Sequence, residues 1–323
     1  MSILLTGGCG FIGSHCAVDL MNDGHEIVIV DNLSNSYLDA IHSITKLTSK
    51  SPIFYQLDIT DQTKLNSVFV NHPIKTVIHF AGLKSVEESV GCPLTYYFNN
   101  IGGLLVLLEV MKKHHVKNII FSSSATVYGC PTILPLTEEM EATFATSPYG
   151  SSKCMCEKIL MDMSLTGHLK CILLRYFNPV GSREGLKETS RRPIFNLFPY
   201  LASVYHGITD ELVIHGQNYD TRDGTAIRDY ISVVDLANGH LKALKYFNQD
   251  FKYEVFNLGT GRGYTVLEIV RAFEKVFGYP VKKVIGPDRP GDVPSLYTDP
   301  SKAERLLGWR ANTDLETIVR TYL

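Results

Sequence analysis

The sequence predicts an α/β protein, a doubly wound and mainly parallel sheet followed by a smaller mixed α/β region. Three observations predict it. Short apolar runs alternate with helix-length stretches up to about residue 178, the first run opens into a glycine-rich turn, and Pro and Gly become frequent afterwards. The runs at 3–5, 27–30, 53–56, 76–79, 118–122 and 171–175 are nearly continuous in apolar residues, as strands buried on both faces of a parallel sheet require. The stretches between them have the length of crossover helices. Beyond residue 178, loops are expected near 181–193, 216–224 and 286–294, with strands at 212–215 and 255–258 and a helix at 266–277. The expected division is 1–177 and 178–323, with segments of the second part able to return to the main sheet.

Composition narrows the class. The chain has 323 residues, 45% hydrophobic and 20% charged, which suits a large buried core and excludes a disordered chain. Its formal net charge of -2 gives no general attraction to nucleic acid or anionic membrane. Seven cysteines, an odd number without a C-x-x-C pair, read as free thiols of a reducing compartment. Cys154 and Cys156 have the wrong spacing for a zinc knuckle, and no metal site is expected. No basic, apolar leader precedes the first strand, and the richest apolar run, 104–108, is broken by Glu109 and reads as too short to span a bilayer. A cytoplasmic location is expected.

The first strand leads into Thr6-Gly7-Gly8-Cys9-Gly10-Phe11-Ile12-Gly13 and then a helix. Gly7, Gly10 and Gly13 permit a tight turn, a close backbone approach to a pyrophosphate, and close packing of helix on strand. The helix N-terminus presents free N–H groups and the positive end of a dipole to such a group. The second strand ends at Asp31, where a carboxylate can accept from both ribose hydroxyls of an adenosine. The same charge repels a 2′-phosphate, and no Arg or Lys follows in Asn32-Leu33-Ser34, so NAD is favoured over NADP. Asp58, after the third strand, reads equally as an adenine contact or as a turn residue before Thr60. The fold expected is therefore a Rossmann-type dinucleotide domain.

A second constellation handles protons. The strand at 118–122 runs into Ser122-Ser123-Ser124, and Tyr149 and Lys153 lie four apart at the start of a helix, one turn apart on one face. A free Tyr is a poor base at neutral pH, but a neighbouring ammonium stabilises its phenolate, as would a nicotinamide cation. A serine at the carboxyl end of a strand lies where open α/β sheets place ligands.

Together these segments resemble the extended short-chain dehydrogenase/reductase family acting on nucleotide sugars, and within it the UDP-hexose 4-epimerases. The likeness rests on TGGCGFIGSH (6–15), DNLSNS (31–36), VIHFAGLKSVEESV (77–90), NIIFSSSATVYG (118–129), SPYGSSK (147–153), LLRYFNPVG (173–181), DGTAIRDYI (223–231), FNLGTG (256–261) and RPGDVPS (289–295), spread over almost the whole chain. The resemblance implies tightly held NAD, contacted by Gly7, Gly10, Phe11, Ile12, Gly13, Asp31, Asn32, Asp58, Ile59, Phe80, Ala81, Gly82, Lys84, Asn99, Ser122, Tyr149, Lys153 and Tyr176. It implies a UDP-sugar held by Lys84, Ser124, Tyr149, Asn178, Asn196, Leu197, His215, Arg228, Arg289, Asp292 and Leu296. The implied reaction is redox-neutral. Tyr149, assisted by Ser124, takes the proton of the sugar 4-hydroxyl as C4 is oxidised; the 4-keto sugar turns, and hydride returns to its other face. Lys153 would hold the nicotinamide ribose and tune Tyr149.

Departures from the family pattern qualify the substrate end. His215 stands where a stacking Phe is usual, Phe195 replaces a second Asn, and Ser232 replaces a common His. Leu296 occupies a position that, in the family, gates the hexose pocket: Tyr restricts it to plain sugars, and a small residue admits an N-acetyl group. Leu is intermediate, so UDP-Glc/Gal and UDP-GlcNAc/GalNAc are both expected substrates. Ala125 and Thr126 stand where 4,6-dehydratases carry an acid pair, which argues against dehydration. A helix at 100–114 is apolar on more than one face (Ile101, Leu104, Leu105, Val106, Leu107, Leu108, Val110, Met111), and the resemblance implies a homodimer through it. The competing readings are a reductase or decarboxylase of the same branch, and a non-catalytic NAD-sensing regulator on the same fold.

Overall fold

The computed structural model describes residues 1–142, 145–188, 196–288 and 292–323. The first part runs β1 (Ser2–Thr6), α1 (Phe11–Asn22), β2 (Glu26–Asp31), α2 (Asp39–Thr48), β3 (Ile53–Gln56), α3 (Gln62–Asn71), β4 (Ile74–His79), α4 (Val86–Gly91), α5 (Pro93–Tyr97), α6 (Gly103–Lys113), β5 (Asn118–Ser124), α7 (Pro148–Leu165) and β6 (Lys170–Tyr176). The second part continues with β7 (Asn178–Val180), α8 (Leu197–Tyr205), β8 (Leu212–His215), β9 (Ile227–Ser232), α9 (Val233–Tyr246), β10 (Tyr253–Leu258), β11 (Gly263–Thr265) and α10 (Val266–Phe277). It ends with β12 (Lys283–Gly286), β13 (Ser295–Leu296), α11 (Ser301–Leu307) and α12 (Leu315–Arg320).

The predicted doubly wound sheet is present. Seven strands pair in parallel in the order β10-β6-β5-β4-β1-β2-β3. Alternate side chains feed two separate cores, which is why the strands read as continuous apolar runs. Ile3, Leu5, Ile27, Ile29, Ile78, Ile120, Ile172 and Leu174 pack with α1 and α9 on one face. Leu4, Val28, Val30, Val77, Ile119, Phe121 and Leu173 pack with α3, α6 and α7 on the other. Each large side chain buried this way contributes roughly 1.5–3 kcal/mol. The edge strand β3 departs from the two-faced pattern: its first three residues are half-buried and Gln56 is exposed.

The chain direction across the sheet reverses between β1 and β4, which are neighbours. Crossovers leave in opposite directions from that point, so the turns after these two strands part and leave a crevice at their carboxyl ends. Strand β10 comes from beyond residue 178 and pairs with β6, so the main sheet draws on both halves of the chain.

The remaining elements form a smaller layer. β9 pairs with β7, β11 and β13, and β8 pairs with β12. Helices α8, α10 and α12 close over Phe198, Tyr205 and Phe273. The fully buried Asp229 of β9 accepts from the Thr260 N–H at 2.9 Å, the Thr260 hydroxyl at 2.6 Å and the Gly261 N–H at 3.0 Å. It thereby ties this layer to the turn that follows β10.

The apolar helix is longer than the run at 104–108 suggests. Residues 93–113 wind continuously as α5, a π-helical turn (Phe98–Gly102) and α6. By length and composition alone this stretch is apolar enough to cross a membrane, because 94–98 also lack charge. One side carries Leu104, Leu107, Leu108 and Met111 into the core below the sheet. Leu94, Phe98 and Leu105, spaced four and seven apart, remain exposed on the other, as does Met155 of the adjoining α7.

Candidate active site

The glycine turn follows from steric necessity. Gly7 has φ +69°, and a Cβ there would lie 2.7 Å from the Ala81 backbone nitrogen in the turn after β4. A Cβ on Gly13 would lie 2.6 Å from the Gly7 carbonyl oxygen, whereas Gly10 is less crowded, at 3.2 Å. The Gly10 side of α1 has no side-chain cap, so the first N–H groups of the helix face the crevice without an internal acceptor from a capping residue. Asp31 is buried and held at the end of β2 by the Cys9 N–H (3.0 Å), the Leu33 N–H (2.9 Å) and the Ser36 hydroxyl (2.8 Å). A carboxylate has about four acceptor positions, so three donors leave capacity for a ligand hydroxyl.

Asp58 and Asn32 meet at 2.7 Å, and Asp58 also accepts from the Thr60 N–H and hydroxyl. Burial raises the Asp58 carboxyl, but the bonds from Thr60 and Asn32 outweigh it and hold it below the ordinary range. Its turn role is thus realised. Ile59 is buried under Gly103, while Phe80 packs on His240 at 5.1 Å between ring centres. Asn99 lies half-buried in the π-helical turn, and its neighbour Asn100 binds both the Leu83 N–H (2.8 Å) and Ser152 (3.0 Å), setting the 80–84 turn against α7.

At the carboxyl end of β5 the residues expected to handle protons converge. The N-cap Ser147 starts α7 by accepting from the Gly150 N–H, which aims Tyr149 and Lys153 inward. Tyr149 is half-buried and hydrogen-bonds Ser124. Burial raises its phenol above the ordinary value, and the Ser124 bond recovers part of that shift. Lys153 is buried, donates to the Ser122 carbonyl at 2.7 Å, and lies 4.7 Å from the Phe121 ring centre and 6.0 Å from that of Tyr149. Burial lowers its ammonium to about 8. Tyr176 bonds Ser122 and donates to His240 Nε2, whose Nδ1 is committed to the Leu236 carbonyl.

The facing residues of the smaller layer are brought together in pairs. Lys84 reaches Glu188 at 3.3 Å, and Asn196 donates to the same carboxylate oxygen at 2.8 Å. Arg228 donates to Asp292 at 2.5 Å, so two expected nucleotide ligands neutralise each other. Asn178, exposed at the start of β7, follows directly from the end of β6, and Leu197 opens α8. His215 stands apart on β8, bound to the Pro287 carbonyl at 3.1 Å. Leu296 packs against the small apolar cluster of Ala125, Val127, Tyr128, Leu136 and Phe177 that follows the Ser124 end of β5. Arg289 and Phe195 lie outside the described residues.

Four groups escaped the sequence reading. Glu157 and Arg175 form a buried ion pair behind Lys153, and Glu157 was legible in principle as the next residue along the Tyr149–Lys153 helix face. His79 bonds Thr6 at 2.7 Å across the β1–β4 junction, and Glu188 joins Lys84 to Asn196. Nothing in the sequence pattern signals those last two contacts.

A dinucleotide-type cradle opposite a Ser–Tyr–Lys set, facing a second layer of paired charges, defines a nucleotide-sugar enzyme of the extended short-chain dehydrogenase/reductase class. A family model described as GDP-mannose 4,6 dehydratase matches residues 4–322. The UDP-glucose 4-epimerase of Bacillus subtilis is 49% identical over 319 residues, which is 98% of this chain and 94% of that protein. The structure of UDP-glucose 4-epimerase from Bifidobacterium longum, in complex with NAD+ and UDP, superposes with TM-score 0.97 at 46% identity, over 100% of this chain and 97% of that one. The UDP-Glc/GlcNAc 4-epimerase of Campylobacter jejuni matches with TM-score 0.86 at 36% identity, over 99% of this chain and 97% of that one. The chain belongs to the UDP-glucose 4-epimerase family.

Three fully or nearly fully buried histidines surround the crevice, and burial holds each of them neutral: His15 falls to about 4, His79 to about 3 and His240 to about 4. Unfolded histidine binds its proton near pH 6.5. Between those values the unfolded chain holds more protons, so this contribution to stability is complete above about pH 6.5 and is lost as pH falls. Asp19, Glu138 and Asp229, raised by burial, oppose the trend in the lower part of the window. The urea midpoint is expected to drop from pH 7 to pH 5.5, and His79→Gln to make the drop shallower by about one proton. A midpoint flat over this range would contradict buried, neutral imidazoles.

Proposed function

We propose that this chain interconverts UDP-hexoses at C4, using NAD. The observation that carries the reading is the Ser124–Tyr149–Lys153 set at the carboxyl end of β5, beside a turn with no room for a Cβ at Gly7 or Gly13. NAD fits this chain: the 7–13 turn and the start of α1 suit its diphosphate, and Asp31 suits its adenosine ribose and disfavours a 2′-phosphate. When bound, it supplies the reversible oxidation of a carbinol carbon.

The chain's own groups then handle the proton. Tyr149, as phenolate, accepts the proton of the 4-hydroxyl and later returns it to the same oxygen. Ser124 holds the Tyr149 hydroxyl by hydrogen bond and orients the reacting oxygen. Lys153 supplies a buried positive charge near the phenolate and a donor toward the nicotinamide ribose. Arg228 is suited to the UDP diphosphate through paired charge-assisted bonds, exchanging Asp292 for phosphate oxygens; Asp292 is then available to ribose hydroxyls. The grip is on the nucleotide, which leaves the hexose able to present either face. Ala125 and Thr126 offer no acid for elimination, so the dehydratase description of the family model does not extend to this site's chemistry.

Leu296, packed on the cluster that follows Ser124, leaves more room than a tyrosine would, which supports turnover of N-acetylated UDP-hexoses as well. The exposed Leu94, Phe98, Leu105 and Met155 support a homodimer, because a second copy can cover one apolar face spanning two adjoining helices. The seven cysteines are free, the state a reducing cytoplasm maintains.

With UDP-galactose and no added reductant, NMR is expected to show UDP-glucose forming without net oxidation, and Tyr149→Phe to slow kcat by about 10²–10⁴. Failure of the wild type to convert any UDP-hexose despite bound NAD would turn the reading toward another reaction of the branch. UDP-GalNAc is expected to convert too, and Leu296→Tyr to lower the N-acetylated to plain ratio of kcat/KM by about tenfold or more; an unchanged ratio removes the gate. Light scattering is expected to give twice the 36.1 kDa chain mass, and Phe98→Glu with Leu105→Glu to halve it.

A further inference from the structure

Behind Lys153 lies a cluster that the mechanism does not use. Glu157, one turn further along α7, and Arg175 of β6 are each 3% exposed. Arg175 donates to the Glu157 carboxylate through Nε at 3.0 Å and a terminal nitrogen at 2.8 Å, and the Ser123 hydroxyl donates to it as well. The other arm of Arg175 donates to Tyr128 at 2.9 Å, and Tyr128 donates to Asn257 of β10 at 2.7 Å. One carboxylate thus joins α7, β5 and β6, and the pinned Ser123 sits between Ser122, whose carbonyl holds Lys153, and Ser124, which holds Tyr149.

We propose that Glu157 is a positioning residue for catalysis: its carboxylate sets α7 in register with the end of β5 and is the buried counter-charge that keeps Lys153 an ammonium. This rests on the epimerase reading above. The groups facing Lys153 leave no other fixed anion for that task among the described residues. On α7 they are Tyr149, Cys156 and Glu157. From β5 they are the Phe121 ring and the Ser122 carbonyl, and from β4 the neutral His79. Burial lowers the Lys153 ammonium, and Cys156 and Glu157 oppose that fall; the Cys156 thiol is itself pushed up to about 12 and stays uncharged at neutral pH. Arg175 in turn fixes the Glu157 carboxylate in place through two guanidinium bonds, with the Ser123 hydroxyl as a third donor.

Removing the negative charge therefore lowers the pH at which Lys153 loses its proton. Activity needs the ammonium, so the alkaline limb of the kcat profile moves toward acid, while the KM for the UDP-sugar, set in the other layer, stays where it is. The test is a ¹³Cε-lysine NMR titration of the holoenzyme, with the Lys153 signal assigned by its loss in Lys153→Met, run on wild type and Glu157→Gln alongside the pH profile of kcat. Because Glu157→Gln strands the buried Arg175, the double variant Glu157→Gln/Arg175→Met, which removes both charges, serves if the single one does not fold. The expected result is a Lys153 midpoint and an alkaline limb lower by about one pH unit in Glu157→Gln, and lower by a smaller step in the double variant, where loss of the Arg175 cation offsets part of the loss of the anion. A Lys153 midpoint unchanged in a folded variant overturns the proposal and leaves Glu157 a structural partner of Arg175. The NMR readout does not depend on turnover, so a wild type that fails to epimerise would count against the reaction and not against this role.

Discussion

Two backbone turns approach each other at the place where the sheet reverses, and the rest of the molecule is arranged around that approach. The turn after β1 meets the turn after β4 so closely that Gly7 has no room for a methyl group, and α1 lies so close on the same turn that Gly13 has none either. The approach opens the start of α1 toward a ligand, sets Thr6 against His79, and brings the 80–84 turn beside Lys153. It holds because both sheet faces are filled by alternate residues of the same strands. A shift of one residue in any central strand would exchange its contributions to the two cores.

On this frame the chemistry depends on keeping charge inside the protein. In the proposed reaction Tyr149 loses a proton and Lys153 keeps one, and burial opposes both, raising the first and lowering the second. The structure answers with fixed partners: Ser124 on Tyr149, the Ser122 carbonyl on Lys153, and behind them the Glu157 carboxylate held by Arg175. The histidines are treated in the opposite way and left neutral, with both ring nitrogens of His240 occupied and that of His79 facing Thr6. Facing them, the charges are paired with one another instead: Lys84 of the turn after β4 with Glu188, and Arg228 with Asp292, so that a charged ligand can replace one partner of each pair.

Much of this was legible from local pattern. Continuous apolar runs marked the strands to within two residues at either end, and the Gly7–Gly13 spacing and the Tyr149–Lys153 interval marked the two halves of the site. Local pattern was less informative where contacts join distant segments. The helix expected at 100–114 begins seven residues earlier in a continuous winding, because 93–99 carry no charge to end it and a π-helical turn absorbs the extra residue. Asp58 offered two roles, and only the placement of Thr60 and Asn32 around it showed that its oxygens serve the turn.

The sequence by itself determined the class of fold, the glycine-rich turn, the carboxylate at the end of the second strand and the Ser124, Tyr149 and Lys153 set proposed to handle the proton. These depend on spacings of three or four residues, or on the period of burial along one strand. Only the tertiary structure decided what surrounds them. β10 crosses from the second half of the chain to pair with β6, Glu157 finds Arg175 and Ser123, and Leu296 comes to rest on the apolar cluster that begins at Ala125. Those pairings join residues up to about 170 positions apart, and their energies come from burial and from satisfying buried charge, which no local stretch of sequence encodes.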